Sequence, residues 1–187
     1  MLCQLLRGTR LLGLVGLLLV GFLVASVDAG SHRWAWLEGT TWYVPERGLD
    51  ALGWSTDTED TTAVVDQTVY TIDSFADGYF TARTTILLDG SIRQCRWLLG
   101  SVTRKGRLLL TFMPVAGDDA ETVQGFGQMR KRGGRWAMVN QMSTSSANMQ
   151  IVHSANMRRI RSGARDYAQL PGTSESLPEF MEACWPD

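Results

Sequence analysis

Histidine is almost missing from this 187-residue chain: only His32 and His153 occur, which excludes a zinc site of three or more histidines within one copy. Cysteine is nearly as scarce, with three residues, none of them in a CxxC pair, so a redox or nucleophilic role lacks its usual motif. A GxSxG elbow, a P-loop and a dinucleotide fingerprint are all absent. Neither charge sign dominates: 18 Lys and Arg against 19 Asp and Glu give a formal net charge of −1, which argues for neither nucleic acid nor an anionic membrane as partner. Internal repeats and low-complexity linkers are missing too, and nothing in the composition calls for a cofactor or a metal.

What is present begins with address. Arg7 and Arg10 form a basic head before an uncharged apolar run of 17 residues, 11–27, and Val27-Asp28-Ala29 offers small side chains for a signal peptidase. Residues 1–29 therefore read as a signal peptide, with an uncleaved membrane anchor as the alternative. Either way the remainder is expected outside the cytoplasm, periplasmic or secreted, or membrane-anchored and facing outward. Cleavage after Ala29 removes Arg7, Arg10 and Asp28 and leaves 158 residues with 16 basic and 18 acidic side chains. That length suits one domain able to bury about 70% of its unfolded surface. Cys95 and Cys184 remain, and an even pair in an oxidising compartment reads as one disulfide.

From residue 40 onward, short β-rich runs alternate with turn dipeptides. They are "TTWYV" (40–44), "QTVYTIDSF" (67–75), "YFTARTTILL" (79–88), "RQCRWLLGSV" (93–102), "RLLLTFMPV" (107–115), "TVQGFGQMRK" (122–131), "RWAMVNQMST" (135–144) and "ANMQIVHSANMRRI" (147–160). Asp77-Gly78, Asp89-Gly90 and Gly133-Gly134 are hairpin-sized connections. Only residues 45–66 form a long one, carrying Leu49, Leu52 and Trp54 as a lid or contact surface. Eight consecutive antiparallel strands close most simply into an up-and-down barrel wide enough for side chains or one small ligand. The expected division is a lead-in at 30–38, a barrel at 39–160 and a helical tail at 161–187. In the tail, Ser176 and Glu179 form a capping box, proline occupies the first turn, and Phe180 and Cys184 share a face. A short C-terminal helix is expected there, pinned to the barrel by Cys184 and Cys95.

Residues 136–157, "WAMVNQMSTSSANMQIVHSANM", alternate as strands do, yet put methionines where Val, Ile and Leu are usual. A two-residue turn at Gly133-Gly134 sets Met129 opposite Met138 and Gly127 opposite Asn140. A second at Ser145-Ser146 sets Met142 opposite Met149, Asn140 opposite Ile151 and Met138 opposite His153. Cross-strand partners share a face, so Gly125, Gly127, Met129, Trp136, Met138, Asn140, Met142, Met149 and His153 are expected to line the interior. A one-residue slip would invert this assignment. Methionines adapt to varied partners, strand glycines mark close approach, and Asn140 and His153 could orient a ligand. Two other clusters are less specific. Asp57, Glu59, Asp60 and Asp66 lack the glycine and terminal glutamate of an EF-hand and read as a solvated acidic loop. Arg158, Arg159, Arg161 and Arg165 read as barrel closure and solubility, or as an anion or lipid head-group site.

"GTTWYVP" at the first strand, followed by eight strands and a terminal helix, resembles the calycin superfamily, with a look close to exported bacterial lipocalin-like proteins. Lipocalins separate the glycine and tryptophan of their first strand by one residue; here Thr40 and Thr41 separate Gly39 from Trp42. The Thr-Asp-Tyr motif of lipocalins is absent. The resemblance implies that Arg158 or Arg159 packs over Trp42, that a mid-barrel strand is tied to the C-terminal segment as Cys95–Cys184 would do, and that a small, largely apolar molecule is bound. The sequence thus reads as an exported binder of a small hydrophobic or amphipathic ligand rather than an enzyme. The alternatives are a barrel isomerase, cyclase or hydrolase using His153, and an envelope interaction or inhibitor protein with a filled barrel.

Overall fold

The protein, seen here as a computed structural model, is described over residues 31–45, 49–117, 121–146 and 148–186. The expected signal peptide and its anchor alternative lie outside the described residues. A 3-10 helix, Ser31–Leu37, leads into nine strands: β1 Thr41–Tyr43, β2 Leu49–Ser55, β3 Thr61–Ala76, β4 Tyr79–Leu88, β5 Ile92–Val102, β6 Arg107–Pro114, β7 Val123–Arg132, β8 Arg135–Ser146 and β9 Met149–Ile160. Two short helices follow, α1 Arg165–Ala168 and α2 Leu177–Glu182.

Each strand from β3 to β9 pairs antiparallel with its sequence neighbours, and β1 and β2 both pair with β3 on one side and β9 on the other. The result is a closed eight-stranded barrel in which β1 and β2 share one position. Tyr43 pairs with Val69 and Leu49 with Asp66, so six steps along the first strand answer three along β3. The register against β3 therefore differs by three residues between β1 and β2. This corrects the expectation for residues 45–66. Instead of a lid, β2 and the first third of β3 form a hairpin in the barrel wall, with Leu52 and Trp54 exposed on its outer surface.

Turn chemistry sets the remaining registers. Gly133 and Gly134 adopt φ of 54° and 78°, the left-handed pair of a type I′ hairpin, and Arg132 pairs with Arg135 across them. The expected pairs Met129–Met138 and Gly127–Asn140 follow. The next turn falls two residues later than the sequence suggests, with Ser146 opposite Met149. Met138 therefore faces Met157 rather than His153, Asn140 faces Ala155 rather than Ile151, and Met142 faces His153 rather than Met149. The partner shift is four residues, an even number, so Met138, Asn140, Met142, Met149 and His153 keep their expected face.

The interior is closed at the end where β1 begins. The 3-10 helix inserts Trp34 and Leu37 into the barrel, where Trp34 Nε1 donates to the Thr103 carbonyl at 2.9 Å. The expected lead-in is thus a plug, with His32 exposed on its outer side. Trp42, Phe80, Leu98, Leu110, Phe112, Met138 and Met157 fill the layers below. Burial of each such side chain contributes roughly 1.5–3 kcal/mol. The expected stacking of an end arginine over Trp42 is not formed among the described residues. Arg159 pairs with Trp42 in the ladder, but the indole meets Trp36, with ring centroids 6.1 Å apart.

A second, smaller core lies outside the wall. The tail lays Leu170, Leu177 and Phe180 over Tyr43, Val69, Leu87 and Ile160 on the outer face of β1, β3, β4 and β9. The Ser176–Glu179 capping box starts α2 as expected, and Cys184 is joined to Cys95 of β5. Arg93 seals the seam by donating to the Phe180 carbonyl at 3.2 Å and to Glu175 at 2.6 Å. Tyr43 donates to Asp166 at 2.6 Å.

Loss of the disulfide by Cys184→Ser should lower unfolding free energy by about 2–5 kcal/mol in urea titrations. The Tyr43–Asp166 bond gives tail docking a pH window. The Tyr43 hydroxyl, ahead of Arg165, holds the Asp166 carboxyl below its ordinary value. Its contribution is complete above the usual carboxylate pKa of about 4 and is lost as pH falls through the lower folded value. Burial, then Asp166, push the Tyr43 phenol up to about 12, so its contribution is intact below the usual value near 10 and fades as pH rises through about 12. Tyr43→Phe should move the Asp166 carboxyl pKa back up, as read by carboxyl NMR.

Candidate functional site

The inner wall is apolar at the plugged end and becomes polar toward the other end, where β2, β3 and β9 extend furthest. Met129, Met138 and Met157 lie in the apolar layer, all under 5% exposed. Below them Asn140, fully buried, comes opposite Gly127, and Met142 opposite Gly125. The glycines hold these positions open: a Cβ on Gly127 would overlap the Asn140 amide, and one on Gly125 would lie 2.8 Å from Met142 Cγ. The room the glycines leave is thus occupied by facing side chains of the same sheet.

The methionines have a chemical reason to be there. Tyr70, buried at the barrel's centre, donates its hydroxyl to Met142 Sδ at 3.4 Å, and Asn140 Nδ2 donates to Met157 Sδ at 3.7 Å. Thioether sulfurs are weak acceptors that an aliphatic side chain could not replace. Burial pushes the Tyr70 phenol far up, and the Asp66 charge adds to it while the Asn140 amide partly offsets both, so the phenol stays a donor.

The polar layer contains residues that sequence reading missed. Asp66, read as part of a solvated loop, is 2% exposed inside the barrel. Its Oδ1 accepts from Thr68 Oγ1 at 2.7 Å, and its Oδ2 lies 3.2 Å from His153 Nδ1. That contact is close enough for an ion pair but is not aligned as a hydrogen bond, and Nδ1 has no other partner. Arg96 is 4% exposed and opposes Thr84. Its guanidinium donates to the Glu121 carbonyl at 2.7 Å and to Gln94 at 3.2 Å, and its Nε bonds nothing. Thr84 Oγ1 and Asn140 Oδ1 are likewise buried without partners. Four inner-wall residues therefore carry unsatisfied polar atoms, each worth roughly 1–3 kcal/mol of desolvation penalty.

The rim of the mouth beyond them is apolar and partly exposed. Val64, Ile86, Leu88, Pro114, Ile151 and Met149 share the inward parity and are each partly exposed. Met149 approaches the β2 wall, where a Cβ on Gly53 would stand 3.0 Å from its sulfur. The structure thus brings Met142, Met149, Asn140 and His153 to the polar end, and leaves Met129 and Met138 in the plugged half with Gly125 and Gly127 in the wall between. Trp136 stands apart from them, half-buried at the plugged end and edge-on to Trp34 with centroids 5.1 Å apart. Arg96 and Asp66 were legible in principle: Arg96 is in phase with Leu98 and Val102, and Asp66 with Thr68 and Tyr70.

No family model matches the chain, and no curated protein matches it. Among solved structures it is similar to a de novo designed transmembrane β-barrel, at 13% identity over 66% of this chain and 97% of that one with a TM-score of 0.40. It is also similar to the structure of EF1p2_mFAP2b bound to DFHBI, at 10% identity over 70% and 99% with a TM-score of 0.41. Scores this low carry no argument, so the barrel stands on its own strand ladders.

If Gly125 makes room for Met142, Gly125→Ala should cost about 1–3 kcal/mol by overpacking. The double variant with Met142→Ala should lose less than the two single losses combined, with coupling of about 0.5 kcal/mol or more in urea unfolding.

Proposed function

We propose that the protein binds a small amphipathic molecule through the open mouth of its barrel, in the manner the lipocalin-like resemblance implies. The observation that carries this is the set of buried, unpaired polar atoms, Thr84 Oγ1, Arg96 Nε and Asn140 Oδ1, beneath a half-exposed apolar rim. Leaving them unsatisfied costs stability, and a ligand whose polar end reaches them while its apolar body rests on Ile86, Leu88, Ile151 and Met149 offsets that cost. Met142 and Met149 supply adaptable contacts, His153 and Asn140 orient the polar end, and Gly125, Gly127, Met129 and Met138 hold the wall behind them. The buried guanidinium favours an acid group on the ligand. The Cys95–Cys184 bond fits an oxidising compartment, which supports export to the periplasm or medium.

One geometry favours a second reading, an enzyme in the same barrel. Asp66 beside Nδ1 would orient the His153 imidazole and leave Nε2 free for general acid–base chemistry.

Native mass spectrometry of the protein from its host's extracytoplasmic fraction should show a discrete small-molecule adduct on a chain beginning at Gly30. Arg96→Met should lose the adduct while staying folded. A chain without adduct, or one whose adduct survives Arg96→Met, would end this reading. His153→Ala that retains the adduct but abolishes its turnover would select the enzyme.

A further inference from the structure

Five arginines converge on a second concavity, at the opposite end from the mouth. Arg132 and Arg135 flank the β7–β8 turn, and Arg158, Arg159 and Arg161 come from the end of β9 and the residue after it. Together with the start of α1 they border a cleft of about 1150 Å³. Its single acid, Asp166, is already taken by Tyr43 at 2.6 Å and Arg165 at 3.0 Å. None of the five forms an ion pair among the described residues. A chain of net charge −1 has thus concentrated uncompensated positive charge in one place.

Three features separate this cleft from a merely solvated basic face. All five cations are arginines, whose planar forks bind oxyanions in pairs of hydrogen bonds that lysine cannot match. The wall includes the half-buried indoles of Trp36 and Trp136, with centroids 6.3 Å apart and planes 30° from parallel, an apolar platform beside the charge. Asn156 Oδ1 is buried in the same wall without a hydrogen-bond partner. In addition, desolvation and the neighbouring Arg161 both press the Arg159 guanidinium toward losing its proton, as expected where like charges meet with nothing to neutralise them.

We propose that this cleft is a binding site for a phosphate-bearing ligand, with the arginines holding a multiply charged phosphate or diphosphate and Trp36 and Trp136 receiving the flat or apolar body attached to it. A single carboxylate would engage one guanidinium; five call for an anion with several charges. A hydroxyl or amine on the ligand would satisfy Asn156. The site is separate from the barrel mouth and does not depend on what binds there. The phosphate could belong to a soluble metabolite or to a lipid head group, which share this chemistry.

Titration calorimetry with inorganic pyrophosphate, together with flotation on phosphatidylcholine vesicles doped with phosphatidic acid, tests the proposal. Pyrophosphate binding should weaken at least tenfold in Arg135→Ala/Arg159→Ala, fall with added salt, and be unchanged in Arg83→Ala/Arg107→Ala, outside the cleft. If the first double variant fails to fold, Arg132→Ala/Arg161→Ala serves in its place. Pyrophosphate binding without vesicle association assigns a soluble ligand, and vesicle association that pyrophosphate displaces assigns a head group. Absence of both, or binding that the cleft variants leave intact, overturns the proposal.

Discussion

The barrel depends on its first strand being paired on both sides. β3 through β9 form a meander with two open edges, and only the double pairing of β1 and β2 with β3 and β9 removes them. Closure gives every wall strand a paired neighbour on both sides and so permits an enclosed interior at all. The chain achieves it with a first strand in two parts, β1 and β2, whose registers against β3 differ by three residues. The short β1 locks the plugged end, where Thr40 accepts from Trp42 Nε1 and donates to the Leu37 carbonyl. The longer β2 extends the wall on the mouth side and places Ala51 against His153.

That division gives the two ends different chemistry. At the plugged end, Trp34, Trp36, Trp42 and Trp136 pack ring against ring above a buried apolar interior. At the other end Asp66, Thr68, Thr84, Arg96 and His153 line the wall under an apolar rim. Between them Tyr70 and Asn140 use methionine sulfur as acceptor, which satisfies the Tyr70 hydroxyl and the Asn140 Nδ2 donor in the middle of a core. A barrel built for stability alone would replace this layer with aliphatic side chains and avoid the penalty of its unpaired atoms.

The tail is part of the same economy of surfaces. Outward-facing Val69 and Leu87 would face solvent on an isolated barrel, and Leu170, Leu177 and Phe180 cover them. The disulfide to β5, the Arg93 contacts and the bond from Gln67 to the Pro171 carbonyl hold that cover in place. Fixing the tail also fixes Asp166 and Ala164 at the border of the arginine cleft, so one packing event shapes both the outer core and the cleft's edge.

Strand alternation, turn dipeptides, the capping box and the pairing of the two cysteines were legible because each is a local signal, readable within a few residues. Face assignment was legible for the same reason: side-chain parity is a property of one strand, and it survived even where the β8–β9 register lay four residues from expectation. The hairpin of residues 49–66 was hidden because its acidic stretch mimics a loop, and only pairing with β9 makes it wall. By itself, the sequence determined that this is an antiparallel meander with a methionine-rich inner face and a stapled tail. Tertiary structure alone decided that Asp66 meets His153, that Arg96 is enclosed, and that arginines 26 positions apart, Arg132 and Arg158, border one cleft. The first contact arises from barrel closure, which brings β3 and β9 together on either side of β2, while the other two arise where neighbouring strands of the meander pack side by side.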